Sequence, residues 1–257
     1  MKYNKLLTVR EVEHLNPGHV LIRLTDDNPI PKPVPGQFVQ VKVEGSPSTF
    51  LRRPISVNFY DEQANELWLL VQLKGEGTRT LTTPKADDSL EVLFPLGNGF
   101  RQDVQPGERV LLVGGGVGVA PLLYYGKYVK EQGGTPLFLL GARTKADLLQ
   151  LDCFEQYGPV YVTTEDGTAG EKGFVTQHSL LNRDGFSYIS VCGPKPMMMA
   201  VARYARATNI PCEVSLENLM ACGLGACLCC VEKTVRGNVC VCTEGPVFNI
   251  NQLTWEL

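Results

Sequence analysis

Six of the chain's nine cysteines fall at or after position 222, in a stretch rich in glycine and short turns with no evident core of its own. Such a tail needs something besides burial to hold it together. Disulfides suit small secreted chains. Here the count is odd, and the N-terminal Met-Lys-Tyr-Asn-Lys-Leu-Leu-Thr-Val-Arg lacks the apolar stretch of a signal peptide. Cysteines clustered in this way point to metal or redox chemistry. The longest near-apolar run, Val110 to Tyr125, is interrupted by four glycines and a proline and is too short to span a membrane. A cytoplasmic protein with no membrane partner is therefore expected.

The spacing within the tail is more specific. Cys222, Cys227 and Cys230 stand as C-x4-C-x2-C, with Cys242 downstream, the pattern of a [2Fe–2S] cluster held by four thiolates. Gly223 and Gly225 let the backbone wrap close enough for amides to reach the cluster sulfurs. A four-cysteine zinc site also uses C-x2-C pairs, but zinc ribbons carry two such knuckles and this tail has one. Cys229 and Cys240 lie one and two residues from proposed ligands, so a swap at the fourth position stays open.

Ahead of the tail the chain changes character once. Up to about Phe100 it reads as short β-strands, among them Val39–Val43, Ile55–Tyr60 and Leu67–Leu73, bounded by Pro35-Gly and Glu44-Gly-Ser-Pro. Beyond Pro106-Gly107, strands and helices alternate. Strands are predicted at Arg109–Val113, Leu137–Leu140, Val160–Thr163 and Ser187–Val191, and helices at Pro121–Glu131, Lys145–Phe154 and Lys195–Ala207. Alternation of this kind implies a parallel sheet. The expected fold class is a multidomain β plus α/β protein. It has an N-terminal antiparallel β-barrel (1–101), a parallel α/β nucleotide-binding domain (102–211) and a small C-terminal iron–sulfur subdomain (212–257).

Three further motifs carry chemistry. Gly114-Gly115-Gly116-Val-Gly118 follows a strand and opens a helix, where backbone amides can receive a pyrophosphate. Cys192-Gly193-Pro194 ends another strand, at the sheet edge where ligands bind. Arg52-Arg53-Pro54-Ile55-Ser56 opens a barrel strand with guanidinium groups suited to phosphate oxygens. Downstream, Gly77 and Thr78 start a possible short helix whose amides could meet a diphosphate. Each has a plainer reading as a tight turn, a buried thiol or a surface ion pair. The histidines (His14, His19, His178) are scattered and no acid–base constellation is evident. The net charge of −3 gives no footprint for nucleic acid.

The order of these motifs resembles the ferredoxin–NADP reductase superfamily, which joins an FAD-binding barrel to a nicotinamide-binding α/β domain. The cysteine tail, entered through Met220-Ala-Cys222 and closed by Cys242-x-x-Gly-Pro-Val-Phe, narrows the likeness to the electron-transfer subunits of type B dihydroorotate dehydrogenases. Pro95-Leu-Gly-Asn-Gly-Phe100 is similar to that family's barrel-to-sheet junction.

The resemblance implies FAD against Arg53, Pro54, Ile55, Ser56, Leu70, Val71, Gln72, Gly77 and Thr78. It implies NAD+ as acceptor at Gly114, Gly115, Gly116, Gly118, Cys192, Gly193 and Pro194, and a cluster on Cys222, Cys227, Cys230 and Cys242. It further implies an FMN-containing dihydroorotate dehydrogenase catalytic subunit as partner, two of each in a heterotetramer serving pyrimidine (UMP) biosynthesis. A related alternative is the flavoprotein subunit of an NAD(P)H–ferredoxin oxidoreductase or sulfhydrogenase. Superfamily members that use NADP carry a Ser-Arg pair where this chain has Thr163-Thr-Glu165-Asp166. Carboxylates there favour NAD, since they repel a 2′-phosphate and suit ribose hydroxyls.

Overall fold

A computed structural model describes residues 1–183 and 185–256. The first half closes into a six-stranded antiparallel barrel. Its strands are β1 (Tyr3–Asn16), β2 (His19–Thr25), β3 (Phe38–Val41), β4 (Arg53–Asp61), β5 (Glu66–Gln72) and β6 (Ser89–Leu96), in the spatial order β1-β2-β5-β4-β3-β6. Alternation drives closure. In β6, Leu90, Val92, Phe94 and Leu96 are buried while the residues between them are not. A short helix, α1 (Glu76–Thr80), follows β5.

The second half builds a seven-stranded sheet from β7 (Arg109–Gly115), β8 (Thr135–Ala142), β9 (Val160–Thr164), β10 (Glu171–Lys172), β11 (Tyr188–Cys192), β12 (Cys212–Ser215) and β15 (Val247–Asn249). Their order is β10-β9-β8-β7-β11-β12-β15, parallel except for the antiparallel last pair. The central strands β7 and β11 are buried on both faces, as apolar runs in parallel sheets are. Helix α4 (Lys195–Ala207) presents Met198, Val201, Ala202 and Ala205, spaced one helical turn apart, to the sheet. Helix α2 (Ala120–Glu131) is buried along most of its length because it is wedged between sheet and barrel. There Tyr124 donates to the Pro33 carbonyl at 3.1 Å, and Asn58 to the Ala120 carbonyl at 3.0 Å.

One expected helix is broken. Lys145–Phe154 divides into a 3-10 turn at Lys145–Asp147 and α3 (Leu151–Glu155), with Gln150 left-handed between them at φ 53°. The Gln150 amide exchanges two 3.0 Å hydrogen bonds with the buried Asn58 of the barrel. That clasp between the two halves overrides local helix propensity.

The tail is less independent than its composition suggests. It contributes the hairpin β13 (Val231–Thr234) and β14 (Gly237–Cys240), the short helix α5 (Val241–Glu244), and the edge strand β15. Val241, Cys242, Phe248, Ile250 and Leu253 join the core on one side of the sheet, together with Phe38 and Leu96 of the barrel. The barrel-to-sheet junction grips it directly. Asn98 donates side-chain hydrogen bonds of 3.0 Å to the Thr243 and Glu244 carbonyls, and its backbone amide one of 2.6 Å to that of Gly245.

Candidate functional site

The glycine loop and the Cys-Gly-Pro turn meet through backbone. The two strands that carry them pair in register, Cys192 beside Gly114. A Cβ on Gly118 would lie 2.5 Å from the Gly193 Cα, and one on Gly115 would lie 2.4 Å from the Met197 sulfur. Only glycine permits this approach. The result is a cleft of about 670 Å³ at the carboxyl edge of the sheet, lined by Gly115, Gly116, Gly118, Gly193 and Pro194. Gly114 and Cys192 are buried behind it, and burial pushes the Cys192 thiol far above its ordinary range.

Other residues lining this cleft escaped sequence reasoning. His19 and Lys74 reach it from the barrel beside the expected flavin residue Gln72, Arg143 and Met197 from the α/β half, and Glu217 from the tail. Their only common property is spatial, so no local pattern marks them. Desolvation pushes the Glu217 carboxyl up against the pull of Lys74. Of the carboxylates read as selecting the nucleotide, Glu165 lines the cleft. Asp166 instead accepts hydrogen bonds from the amide and hydroxyl of Thr168 at 3.0 and 2.7 Å, closing its own turn.

The flavin motifs also converge. Arg53 opens β4, and a Cβ on Gly77 would lie 2.7 Å from its Nε. The guanidinium thus occupies the space that glycine leaves, over the first turn of α1. The amides of Gly77 and Thr78 lie in that turn, ahead of any intrahelical acceptor. Thr78 is committed locally: its hydroxyl accepts from the amides of Lys74 and Gly75 at 3.0 and 3.1 Å. Pro54, Ile55 and Ser56 are half-buried along β4. On β5 only Gln72 opens to the cleft. Leu70 and Val71 are sealed in the barrel core, leaving their backbone as what a ligand could meet. Arg52 turns away to pair with Glu91.

In the tail Cys222 neighbours Cys227 and Cys230 neighbours Cys242, and Cys240 also adjoins Cys230. Gly223, Gly225 and Leu228 have positive φ, at 68°, 84° and 57°, and bend the loop around the sulfurs. Backbone amides point at them. Leu224 donates to Cys222 at 3.3 Å, Gly225 to Cys242 at 3.1 Å and Cys242 to Cys230 at 3.4 Å.

The Leu224 amide holds the Cys222 thiol down to about 6, while burial and the adjoining Cys230 push Cys242 up to about 12. Bound metal displaces such protons. Cys240 differs in one contact: its sulfur faces the Gly225 carbonyl at 3.9 Å, whereas the Cys242 sulfur accepts from the Gly225 amide. Paired sulfurs with amide donors fit a two-iron cluster, and the Arg53–Gly77 cradle and the glycine cleft fit a flavin diphosphate and a dinucleotide.

Residues 217–254 match the family model for the iron-sulfur cluster binding domain of dihydroorotate dehydrogenase B, and 112–203 that for the oxidoreductase NAD-binding domain. The dihydroorotate dehydrogenase B (NAD(+)) electron transfer subunit of Caldanaerobacter subterraneus is 42% identical over 84% of this chain and 85% of its own. This chain belongs to that family.

The electron transfer subunit of Shouchella clausii is 38% identical over 85% of this chain and 86% of its own. Among solved structures, a NADH-dependent reduced ferredoxin-NADP oxidoreductase superposes with a TM-score of 0.86 at 29% identity, covering 98% of this chain and 91% of its own. A ferredoxin NADP+ reductase from Neisseria gonorrhoeae, solved with FAD and NADP, matches at a TM-score of 0.65 and 17% identity over 79% and 91%, a likeness of fold. Among the described residues no helix is long and apolar enough to cross a membrane.

Proposed function

We propose that the chain takes electrons released by dihydroorotate oxidation on a separate FMN-bearing catalytic subunit and delivers them to NAD+ in pyrimidine biosynthesis. The carrying observation is contiguity. The cysteine loop packs on the outer face of β3, β3 pairs with the flavin segment Arg53–Ser56, and the barrel's Gln72 lines the nucleotide cleft. When bound, a [2Fe–2S] cluster passes electrons singly and FAD converts them into the pair that NAD+ takes as hydride.

The chain's own residues prepare each place. Cys222, Cys227, Cys230 and Cys242 hold the cluster, with Cys242 preferred to Cys240 because the Gly225 amide rather than its carbonyl faces the Cys242 sulfur. Arg53 neutralises the flavin diphosphate beside the Gly77 and Thr78 amides. Pro54, Ile55, Ser56 and the backbone of Leu70–Gln72 wall the ring, and Gly114–Gly118 with Cys192–Pro194 seat the nucleotide. The working division is 1–101 for FAD, 102–211 for NAD+ and 212–257 for the cluster.

Leu219, Leu224 and Leu228 stand exposed around the cysteine loop. Apolar side chains at that place suit a docking face for the catalytic subunit, which brings the cluster near the partner's flavin in a complex of two subunits of each kind. Titratable residues of the cleft, among them His19, Lys74, Glu165 and Glu217, stand at the nucleotide site, and dihydroorotate chemistry is assigned to the catalytic subunit. The isolated holo-chain is therefore expected to reduce dyes with NADH and to form no orotate. Orotate formation by this chain alone would overturn the division of labour. The structural likeness to the ferredoxin-NADP oxidoreductase favours a ferredoxin-linked second reading. Ferredoxin reduction by the purified chain, with no dihydroorotate-oxidising partner recovered, would establish it.

A further inference from the structure

One buried polar group is left over once these sites are assigned. Gln40 is fully buried, yet neither its Nε2 nor its Oε1 has a hydrogen-bond partner among the described residues. An amide stranded in this way carries an uncompensated desolvation penalty, so its position calls for a reason.

The register supplies one. Side chains alternate along β3. Val39 and Val41 enter the barrel core, while Phe38 packs with Leu96, Cys230 and Cys242 on the outer face. Gln40 shares that outer face. Residues directly opposite in an antiparallel pair point the same way, and Gln40 stands opposite Pro54 as Phe38 does Ser56. Its other neighbour is the cysteine loop. A Cβ on Gly223 would come within 2.9 Å of the Gln40 Cγ and 3.1 Å of its Nε2. The amide therefore rests under the residue that follows Cys222, between the loop and the strand pair that walls the flavin.

Resting on the cluster reading above, we propose that Gln40 is a positioning residue for the cluster: its side-chain amide donates into the Cys222 end of the thiolate shell once iron holds that loop. An N–H donor stabilises negative charge on sulfur, so it favours the reduced cluster and raises its potential. It also ties the loop to the wall shared with the flavin. Gly223 is then required both for its φ of 68° and for the space the amide fills.

The test compares the holo-subunits Gln40→Asn, Gln40→Glu and Gln40→Leu with wild type. Cluster midpoint potential is read by EPR-monitored titration, FAD midpoint by visible absorbance, and iron is measured per FAD. Asparagine keeps a donor; leucine lacks one, as does glutamate at a pH where its carboxyl is ionised. The expected result is that Glu and Leu lower the cluster midpoint by the equivalent of roughly tenfold in the one-electron equilibrium, ~59 mV, or lose iron while keeping FAD. Asn should stay nearer wild type, and the FAD midpoint should not move.

Wild-type values in Glu and Leu would overturn the proposal, as would Asn behaving like Leu, or a shift confined to FAD. Absence of any iron–sulfur signal from the wild-type protein would instead overturn the cluster reading itself.

Discussion

The nucleotide cleft and the cysteine tail are built from opposite materials. The cleft is made of backbone, with Gly118 pressed on Cys192–Gly193 and Gly115 on Met197, at the centre of a sheet whose strands are buried on both faces. The tail is made of side chains: sulfurs in pairs, amides aimed at them, and a two-stranded hairpin with little core. A backbone site is finished when the sheet folds. A thiolate site is finished only when its protons are replaced by metal. Damage to one should therefore spare the other.

The largest separation is expected at the fourth ligand. Cys242→Ser should drive iron content toward zero and slow dihydroorotate-dependent NAD+ reduction by on the order of 100-fold or more, with FAD retained and NADH–dye reduction intact. Cys240→Ser should leave iron content unchanged. If these two outcomes were exchanged, the amide-versus-carbonyl argument would fail. Iron analysis and absorbance spectra of the two purified variants decide it.

The converse lesion is Gly118→Ala. Its methyl would lie 2.5 Å from the Gly193 Cα. Overpacking of that sort must displace the loop that seats the nucleotide, so NADH–dye kcat/KM should fall by on the order of tenfold or more while the cluster spectrum stays unchanged. Steady-state kinetics alongside EPR measure both halves of that claim.

A pH effect belongs to the sheet that both regions share. Glu213 on β12 is buried, accepts a hydrogen bond from Ser190 at 2.7 Å, and has its carboxyl pushed up to about 7 by desolvation. The folded state therefore binds this proton more tightly than the unfolded chain. The resulting stability is fully present below about 4.5 and is lost as pH rises through 7. Over that span it amounts to on the order of 3 kcal/mol. Glu213→Gln should flatten the decline. Urea unfolding of both proteins between pH 5 and 8 measures the difference in slope.

The smallest effect concerns nucleotide choice. Glu165 faces the cleft together with Arg143, and Asp166 does not. Glu165→Ser should raise the NADPH-to-NADH ratio of kcat/KM by on the order of tenfold, ~1.4 kcal/mol. Asp166→Ser should leave it near wild type. Comparable use of both nucleotides by the unmodified protein would remove the electrostatic argument.

Motifs that lie close together in the chain were legible in the sequence. The Cys222–Cys230 spacing, the glycine loop, the Arg-Pro-Ile-Ser strand and the short helix at Gly77 each announce themselves within ten residues, because one loop or turn builds each of them. What was not legible is how distant segments complete them. Gln150 breaks a helix that its own neighbours favour, because Asn58 holds its amide across the two halves. His19, Lys74 and Glu217 enter the cleft from segments with no nucleotide signature. Gln40 looks like any polar residue in an alternating strand until the cysteine loop is seated against it. Strand β15 emerges from a tail that shows no strand pattern, since it gains its stability from pairing with β12.

The most direct test of the account is to purify the chain with its endogenous partner and follow dihydroorotate-dependent reduction of NAD+. The account predicts turnover by the complex, none by either subunit alone, and loss of that turnover in the Cys242→Ser complex with NADH–dye reduction retained. Undiminished turnover by the complex carrying that cluster-free subunit would contradict it.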